Sequence, residues 1–209
     1  MKRVIQIILG ILIVVLAYFL WESIQNPIRF NKEKDKRYEA TIQRMKDIRT
    51  AQLAFKDEYG KFTGSFDSLI NFINHDSMTV IRAIGSIPDS LLESGWTEKI
   101  AIKEGLIVRD TIRICLKDTL FSQDYNADHL WKVPFTKDDS IQLGATTLET
   151  GSKVKVNVFE AKVHNNVLLH GLDEQLIINL NERMKNANNY PGVKVGDLEQ
   201  PNNNAGNWE

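Results

Sequence analysis

The sequence predicts an α+β protein in which an N-terminal transmembrane helix runs into an amphipathic helix packed on a small antiparallel sheet. Three observations predict this class. Residues 4–21, VIQIILGILIVVLAYFLW, form an apolar run interrupted only by Gln6. Residues 35–59 repeat apolar side chains at helical spacing. The second half of the chain contains β-branched segments that alternate apolar and polar residues.

Residues 4–21 are predicted to be a transmembrane signal anchor. Eighteen helical residues at about 1.5 Å each span roughly 27 Å, enough to cross the hydrocarbon core of a bilayer. Lys2 and Arg3 precede the run, and Trp21 stands where an aromatic interface anchor is expected. A cleaved signal peptide is the alternative interpretation. The run is longer than the apolar region of a signal peptide, and no small-residue cleavage site follows it.

The charges near the anchor leave its orientation open. Between Arg29 and Arg49 the chain has eight Lys or Arg residues and four Asp or Glu residues. By the positive-inside rule this excess favours a cytoplasmic body, but long domains translocate largely regardless of charge. The same segment predicts attraction to anionic lipid. A solvated helix face with ion pairs three and four residues apart is the simpler interpretation.

Pro27 and Gly60 are predicted to divide the helical part of the chain. Residues 22–34 are interpreted as a juxtamembrane connector, because Pro27 disfavours helix at the preceding residue, so the helix restarts near residue 35 or continues past a kink. Residues 35–75 are predicted to be a helical hairpin, with Gly60 ending the first helix and Ser65 capping the second. The core stripe of the first helix comprises Tyr38, Ile42, Met45, Ile48, Ala51, Phe55 and Tyr59. Within the stripe, Ile42, Met45, Ile48 and Phe55 are expected to face the sheet.

Residues 76–199 are predicted to be a mainly antiparallel sheet part of the same domain, followed by a polar tail at 200–209. The predicted strands are 78–84, 106–116, 141–148, 153–163, 167–170 and 193–195. A short helix is expected from Pro88 and a later one from Asp173 to Met184. In the strand at 153–163, Val154, Val156 and Val158 are expected to face the core.

The sequence offers no constellation of residues that supports catalysis or metal binding. Net charge is −1, so there is no general attraction to nucleic acid. Cys115 is the only cysteine and is expected to be a buried structural thiol. The four histidines lack the spacing of metal ligands, and the nucleotide-binding and nucleophile-elbow motifs are missing. We therefore expect no enzyme activity, no catalytic residue, no cofactor and no metal.

Residues 47–62, DIRTAQLAFKDEYGKF, carry a resemblance to a known family. The run resembles the "R-T-A-x-x-A-[FY]…[HY]-G-[KR]-[FY]" segment near the end of the amphipathic helix in type IV pilins and type II secretion pseudopilins. The resemblance covers residues 4–75. It implies a long N-terminal helix, an antiparallel sheet packed on it, and a subunit or scaffold of an envelope assembly. It also implies a single-pass location in the bacterial inner membrane, with the soluble domain periplasmic or extracellular.

The chain departs from the family at its leader site. Members have a glycine followed by a run such as Phe-Thr-Leu-Ile-Glu, with glutamate at the fifth mature position. Here Gly10 is followed by Ile-Leu-Ile-Val-Val at residues 11–15, so the glutamate carboxylate of the family is missing. We interpret the chain as a divergent, pilin-like relative. A membrane-tethered module that binds a peptide or glycan is the alternative from another functional class.

Gly10 and Ala17 are the candidate assembly face of the anchor. They are the only small residues in the span and lie seven apart, on one face of the helix. Small residues allow the close backbone approach by which membrane helices associate, so we expect homo- or hetero-oligomers with envelope proteins through this face. The alternative is that Gly10 is incidental. The expected partners are the lipid bilayer and other envelope proteins, with no nucleic acid.

Overall fold

The computed structural model describes residues 2–93, 95–122, 124–149, 151 and 153–209. The protein is α+β, with a long N-terminal apolar helix and a small three-stranded antiparallel sheet. The chain forms two compact units, one of Met1–Arg49 with Leu130–Glu209 and one of Thr50–His129. The described strands sort into two separate sheets, one of two strands and one of three.

Helix α1 runs without interruption over Lys2–Tyr59, with Pro27 inside it. Residues 22–34, interpreted as a connector, are therefore helical. Proline removes the one hydrogen bond that its N–H would give to the carbonyl four residues earlier. The contacts beside Pro27 offset that loss, because Phe30 is buried and Asn26 donates to Asp173 at 2.9 Å.

The first unit contains the strands β3 (Gln142–Glu149), β4 (Lys155–His164) and β5 (Gly192–Gly196) and the helices α6 (Asn165–Leu168) and α7 (Glu174–Asn186). The three strands form a sheet of order β3-β4-β5 that is antiparallel throughout. The central strand is covered on both faces from Val158 onward, and Phe159, Ala161 and Val163 form its most buried side. The valine face on which the sequence prediction rested is thus the less buried one, and Val154 is exposed.

The strand expected at 167–170 is wrong. Residues Asn165–Leu168 form helix α6, and Leu168 and Leu169 are both fully buried. The imidazole of His164 accepts the N–H of Asn166 at 3.1 Å and caps this helix. A run of consecutive apolar residues does not distinguish a buried strand from a buried helical turn. The capping histidine decides in favour of the helix.

The last ten residues, predicted as a polar tail, fold back along β5. Val195 forms a β-bridge with Gly206, and the N–H of Asn207 donates to the Lys194 carbonyl at 2.9 Å. Asn203 and Asn204 both have positive φ, a conformation that asparagine tolerates better than most residues. The asparagine run is therefore a turn that covers the edge of the sheet.

The second unit combines the end of α1 with short helices and one β-ribbon. Its elements are α2 (Phe66–His75), β1 (Ser77–Ile84), α3 (Asp89–Glu93), α4 (Glu98–Lys103), β2 (Val108–Cys115), α5 (Leu116–Leu120) and a 3-10 helix at Ala127–His129. Strands β1 and β2 pair antiparallel over their full length. As predicted, Ser65 caps α2, and Gly60 follows α1 with a φ of 72°. The side chain of Cys115 lies outside the part of the chain that the structure describes.

Candidate membrane-anchoring and assembly surface

The first third of α1 is a bare apolar surface. Within residues 4–21 every large apolar side chain is exposed, the least exposed being Val15 at 42%. By length and composition α1 contains one candidate membrane span near the N-terminus, and it is the only such helix among the described residues. Exposed apolar patches of this size mark a surface that a membrane or another protein covers.

Gly10 and Ala17 both lie on this bare surface. A Cβ atom built on Gly10 meets no atom within 4 Å, so within one chain nothing requires glycine there. On an ideal helix at about 100° per residue, Gly10, Ala17, Ile28, Asp35, Ile42 and Lys46 fall within roughly 40° of one another. The small-residue face of the span therefore continues into the later part of α1, where the helix has buried side chains.

That continuing face carries a groove of about 830 Å³ in the first unit. Asp35, Glu39, Ile42 and Lys46 line it on α1, and Phe135 forms its rim. The Lys36 ammonium lies 5.0 Å from the centroid of the Phe135 ring. The groove thus offers apolar and both kinds of charged side chain along one helix.

The predicted core stripe is buried only at its centre. Met45, Ile48 and Ala51 are fully buried, whereas Tyr38, Ile42 and Phe55 are half-buried and Tyr59 is exposed. Two polar residues, Thr41 and Gln52, are as buried as the centre of the stripe. Thr41 is satisfied within its own helix, since its hydroxyl donates to the Arg37 carbonyl at 2.8 Å.

Tyr38 connects α1 to a buried amide network. Its hydroxyl donates to Oδ1 of Asn165, and Nδ2 of Asn165 donates to Oδ1 of Asn181 at 2.8 Å. The network ends with Asn181, whose Nδ2 donates to Asn166 Oδ1 at 2.8 Å. Burial raises the pKa of Tyr38 to about 12. The network attaches α6 and α7 to α1, while burial, and not the hydrogen bond to Asn165, keeps the phenol protonated.

Several basic residues of α1 bind within the first unit. The Arg37 guanidinium donates to the carbonyls of Leu168 and His170 at 3.1 and 3.0 Å. Arg49 pairs with Glu209 at 2.7 Å, and this arginine lowers the pKa of the Glu209 carboxyl. Arg29 pairs with Glu22 at 3.0 Å, two helical turns away across Pro27. The Arg37–Glu33 pair, at 3.2 Å and four residues apart, has the spacing that the solvated-face interpretation predicts, whereas the other contacts of Arg37 and that of Arg49 reach distant parts of the chain.

A buried carboxylate lies in the centre of the three-stranded sheet. Glu160 contacts Lys162 at 2.6 Å and Lys194 at 3.7 Å, and Lys194 also binds Asp197 at 2.8 Å. Hydrogen bonding to Lys194 helps lower the pKa of Asp197 in spite of desolvation, which opposes the shift. Two acids and two lysines balance in charge, so this cluster is a closed ion-pair network. Among the described residues no group of three or more His, Cys, Asp or Glu side chains is placed to hold a metal ion.

The second unit contains an aromatic cleft of about 520 Å³ that hydrophobic spacing did not predict as a site. Phe55, Tyr59 and Phe72 pack ring against ring, with centroids 4.6 to 5.7 Å apart. The Tyr59 hydroxyl donates to the Asp76 carboxylate at 2.6 Å, and this hydrogen bond raises the pKa of Tyr59. Half of the Tyr59 side chain remains accessible. The spacing of Phe55 and Tyr59 was visible in the sequence, but their meeting with Phe72 depends on the turn between α1 and α2.

Comparison with protein-family models, with curated proteins and with solved structures finds no match.

Proposed function

We propose that the chain is a single-span envelope protein with a pilin-like domain, acting as a structural or assembly subunit. One observation carries the proposal. Helix α1 is a single 58-residue helix whose first part is apolar and exposed, while its later part has fully buried side chains at Met45, Ile48 and Ala51. A helix satisfies its own backbone in lipid, so the exposed part is suited to cross a bilayer. The family resemblance of residues 47–62 adds the pilin-like class.

The assembly face is the side of α1 that carries Gly10, Ala17 and the groove at Ile42. Lipid tails are as apolar as leucine, so association of membrane helices depends on close packing rather than on hydrophobicity. Small residues allow that packing in the span. Outside it, Asp35 and Glu39 on one copy face the position that Lys46 of a neighbouring copy would occupy after a shift along the helix. The same face thus provides close packing within the span and charge pairing in the part of α1 that follows it.

The test replaces the small residues with large ones. In Gly10→Leu together with Ala17→Leu, the detergent-stable complex should dissociate, seen as loss of the cross-linked ladder. The matched control is Ile8→Leu with Val15→Leu, which has the same spacing on the opposite face and should keep the ladder. Both pairs should melt like the parent, because all four positions are exposed. If the variant with Gly10→Leu and Ala17→Leu keeps the cross-linked ladder, the contact between copies does not lie on this face.

Anchoring and orientation need separate measurements. The protein should stay in the membrane fraction after carbonate extraction, and mass spectrometry should find peptides that begin at Met1 or Lys2. A mature N-terminus near residue 25 would contradict the anchor. A reporter fused after Glu209 should be active only outside the cytoplasm, and cytoplasmic activity would reverse the orientation.

The aromatic cleft favours a second candidate, a membrane-tethered module that binds a peptide or glycan. Aromatic faces beside a carboxylate suit a sugar ring or a cationic side chain, since the rings stack and Asp76 accepts hydrogen bonds. Chitin oligosaccharides and a lysine-rich peptide are suitable probes. Tyr59→Ala should abolish binding, whereas Tyr125→Ala, at the Phe121–Tyr125 stack of the same unit, should not. A monomer in mild detergent favours this candidate, and a complex without added ligand favours the assembly subunit.

A further inference from the structure

His164 is the last residue of β4 and caps the short helix α6 that follows it. Its Nδ1 accepts the backbone N–H of Asn166 at 3.1 Å, one of the N–H groups that have no partner within a helix. Nδ1 can accept a hydrogen bond only while it carries no proton, so the capping form is the neutral imidazole with its proton on Nε2. A protonated ring has an N–H at both nitrogens and would direct a donor at the donor of Asn166. The cap therefore depends on the charge of His164.

The two residues that follow this cap attach α6 to both α1 and α7. Asn165 is fully buried, and its Oδ1 accepts the Tyr38 hydroxyl of α1. Its Nδ2 donates to Oδ1 of Asn181 on α7 at 2.8 Å, and Asn181 donates in turn to Asn166 Oδ1 at 2.8 Å. The hydrogen bond from Asn166 to His164 fixes the backbone that carries both of these asparagine side chains. Loss of the cap would therefore reach the contacts that attach α1 to α6 and α7.

The packing of His164 disfavours a charge on its ring. Burial of the imidazole, and then the like charge of Lys185 on α7, lower the pKa of His164. The Tyr190 ring, from the segment before β5, packs edge to face with the imidazole at a centroid distance of 6.1 Å. Burial raises the pKa of the Tyr190 phenol, so this neighbour stays neutral at acidic pH.

The strand neighbours of His164 present neutral or positive groups to it. On β5 the residue opposite His164 is Gly192, which has no side chain. On β4 the next residue on the same face is Lys162, whose ammonium is already paired with Glu160 at 2.6 Å. The residues of α6 that flank the cap are asparagines and carry no charge. Protonation of His164 thus costs the cap and gains no ion pair from these elements.

We infer that His164 is a pH-sensitive cap, whose protonation releases the first turn of α6 and loosens the attachment of Tyr38, and so of α1, to α6 and α7. The inference goes beyond the proposed function, because it depends only on contacts within the first unit. In the unfolded chain His164 has its ordinary pKa of 6.5, above that of the folded state, so acid favours the unfolded chain. The stabilisation by the cap is therefore fully present above about pH 6.5 and is lost as the pH falls below it.

Urea unfolding of the full-length protein in detergent tests the pH dependence. Asparagine is a preferred N-cap residue that does not titrate, so His164→Asn should cap α6 at every pH. Between about pH 7.5 and about pH 5, the unfolding equilibrium constant of the parent should rise roughly fivefold more than that of His164→Asn, the ratio expected for loss of one N-cap. His170→Asn, the same change at an exposed histidine of the same unit, should follow the parent. Parallel pH profiles of the parent and His164→Asn would overturn the inference.

A nitrogen-15 NMR titration of the histidine rings tests the same inference without a substitution at residue 164. At neutral pH the sequentially assigned His164 should show an unprotonated Nδ1 and a protonated Nε2, and its midpoint should lie below about 6.5. A proton on Nδ1 at neutral pH, or a midpoint at or above that value, would overturn the cap.

The coupling to α1 is tested by Tyr38→Phe, which removes the hydroxyl that Asn165 accepts. Attachment of α1 and protonation of His164 oppose each other, and such coupling is reciprocal. The midpoint of His164 should therefore shift upward in Tyr38→Phe. Tyr125→Phe, a hydroxyl deletion in the second unit, should leave it unchanged. An identical His164 midpoint in Tyr38→Phe and the parent would confine the cap to α6 and overturn its action on α1.

Discussion

The side chain of Gln52 pairs with both backbone polar groups of Thr63. Its Nε2 donates to the Thr63 carbonyl at 2.6 Å, and the Thr63 N–H donates to its Oε1 at 3.1 Å. The Thr63 hydroxyl in turn accepts the N–H of Ser65, the residue that caps α2. Gln52 is fully buried. Its amide therefore supplies the hydrogen-bond partners that the backbone N–H and C=O of Thr63, in the turn between α1 and α2, need.

Gln52→Leu should destabilise the second unit by about 2 to 3 kcal/mol, because it leaves the N–H and C=O of Thr63 without partners in a partly buried turn. The measurement is the free energy of unfolding in urea, followed by circular dichroism of the full-length protein in detergent. Gln43→Leu is the control, since Gln43 is exposed on the same helix, and it should change stability by less than about 0.5 kcal/mol. Equal effects of the two variants would show that the hydrogen bonds between Gln52 and Thr63 do not stabilise the turn.

Local signals in the sequence predicted elements whose ends are set by neighbouring residues. Helix α7 and its cap at Asp173 follow from apolar periodicity and one side chain three residues from the N–H that it accepts. The cap at Ser65 and the stop at Gly60 are local in the same way. Such features need no knowledge of the rest of the chain.

Features that depend on distant partners could not be predicted. Helix α1 continues through Pro27 beside an Asn26–Asp173 bond that joins residues far apart in the sequence. Apolar periodicity also ignores polar residues, so Gln52 was missed although it is as buried as Ile48. The amide network of the first unit was missed for the same reason, because Asn165 and Asn181, to which Tyr38 is joined, are polar.

Ile48→Asp should unfold or strongly destabilise the protein, by more than about 4 kcal/mol, because it places an unpaired carboxylate at a fully buried position. Lys46→Asp, two residues away on the exposed side of α1, is the matched control for introducing aspartate into the same helix and should be mild. Thermal melts of both variants in detergent provide the comparison. Similar melting temperatures would mean that Ile48 does not contribute to a core.

Loss of the Tyr38 hydroxyl should weaken the attachment of α1 to the amide network. Tyr38→Phe removes the donor to Asn165 Oδ1 and should lower the free energy of unfolding by about 1 to 2 kcal/mol at neutral pH. Tyr125→Phe, a hydroxyl deletion in the second unit, serves as the control. A Tyr38→Phe variant as stable as the parent in urea would show that Asn165 finds another donor.

The same tyrosine should make stability fall at alkaline pH. Its pKa is raised from 10.0 to about 12 in the folded protein, so the folded state binds the phenolic proton more tightly than the unfolded chain does. Its contribution is fully present below pH 10 and is lost as the pH rises from about 10 to about 12. Over that window the parent should lose about 2 to 3 kcal/mol more than Tyr38→Phe. Parallel pH profiles of the two proteins would exclude Tyr38 as the group responsible.

Phe135 stands in a backbone conformation that phenylalanine rarely adopts. It has a φ of 65° and follows Pro134 in a turn closed by the Thr136 N–H, which donates to the Val133 carbonyl at 3.4 Å. The left-handed conformation costs a residue with a Cβ atom roughly 1 to 2 kcal/mol, whereas glycine adopts it without that penalty. The ring itself is 51% exposed, so its burial does not offset that cost.

Phe135→Gly should therefore be more stable than Phe135→Ala by about 1 kcal/mol, because both lose the ring and only glycine relieves the backbone strain. The melting temperature of each variant measures the difference.

Strain kept at an exposed aromatic residue points to use of the ring on the groove that it borders. Phe135→Gly should accordingly keep or raise stability while weakening the cross-linked complex, with Phe135→Tyr retaining it. If Phe135→Gly gives as strong a cross-linked ladder as the parent, Phe135 does not contribute to the assembly face.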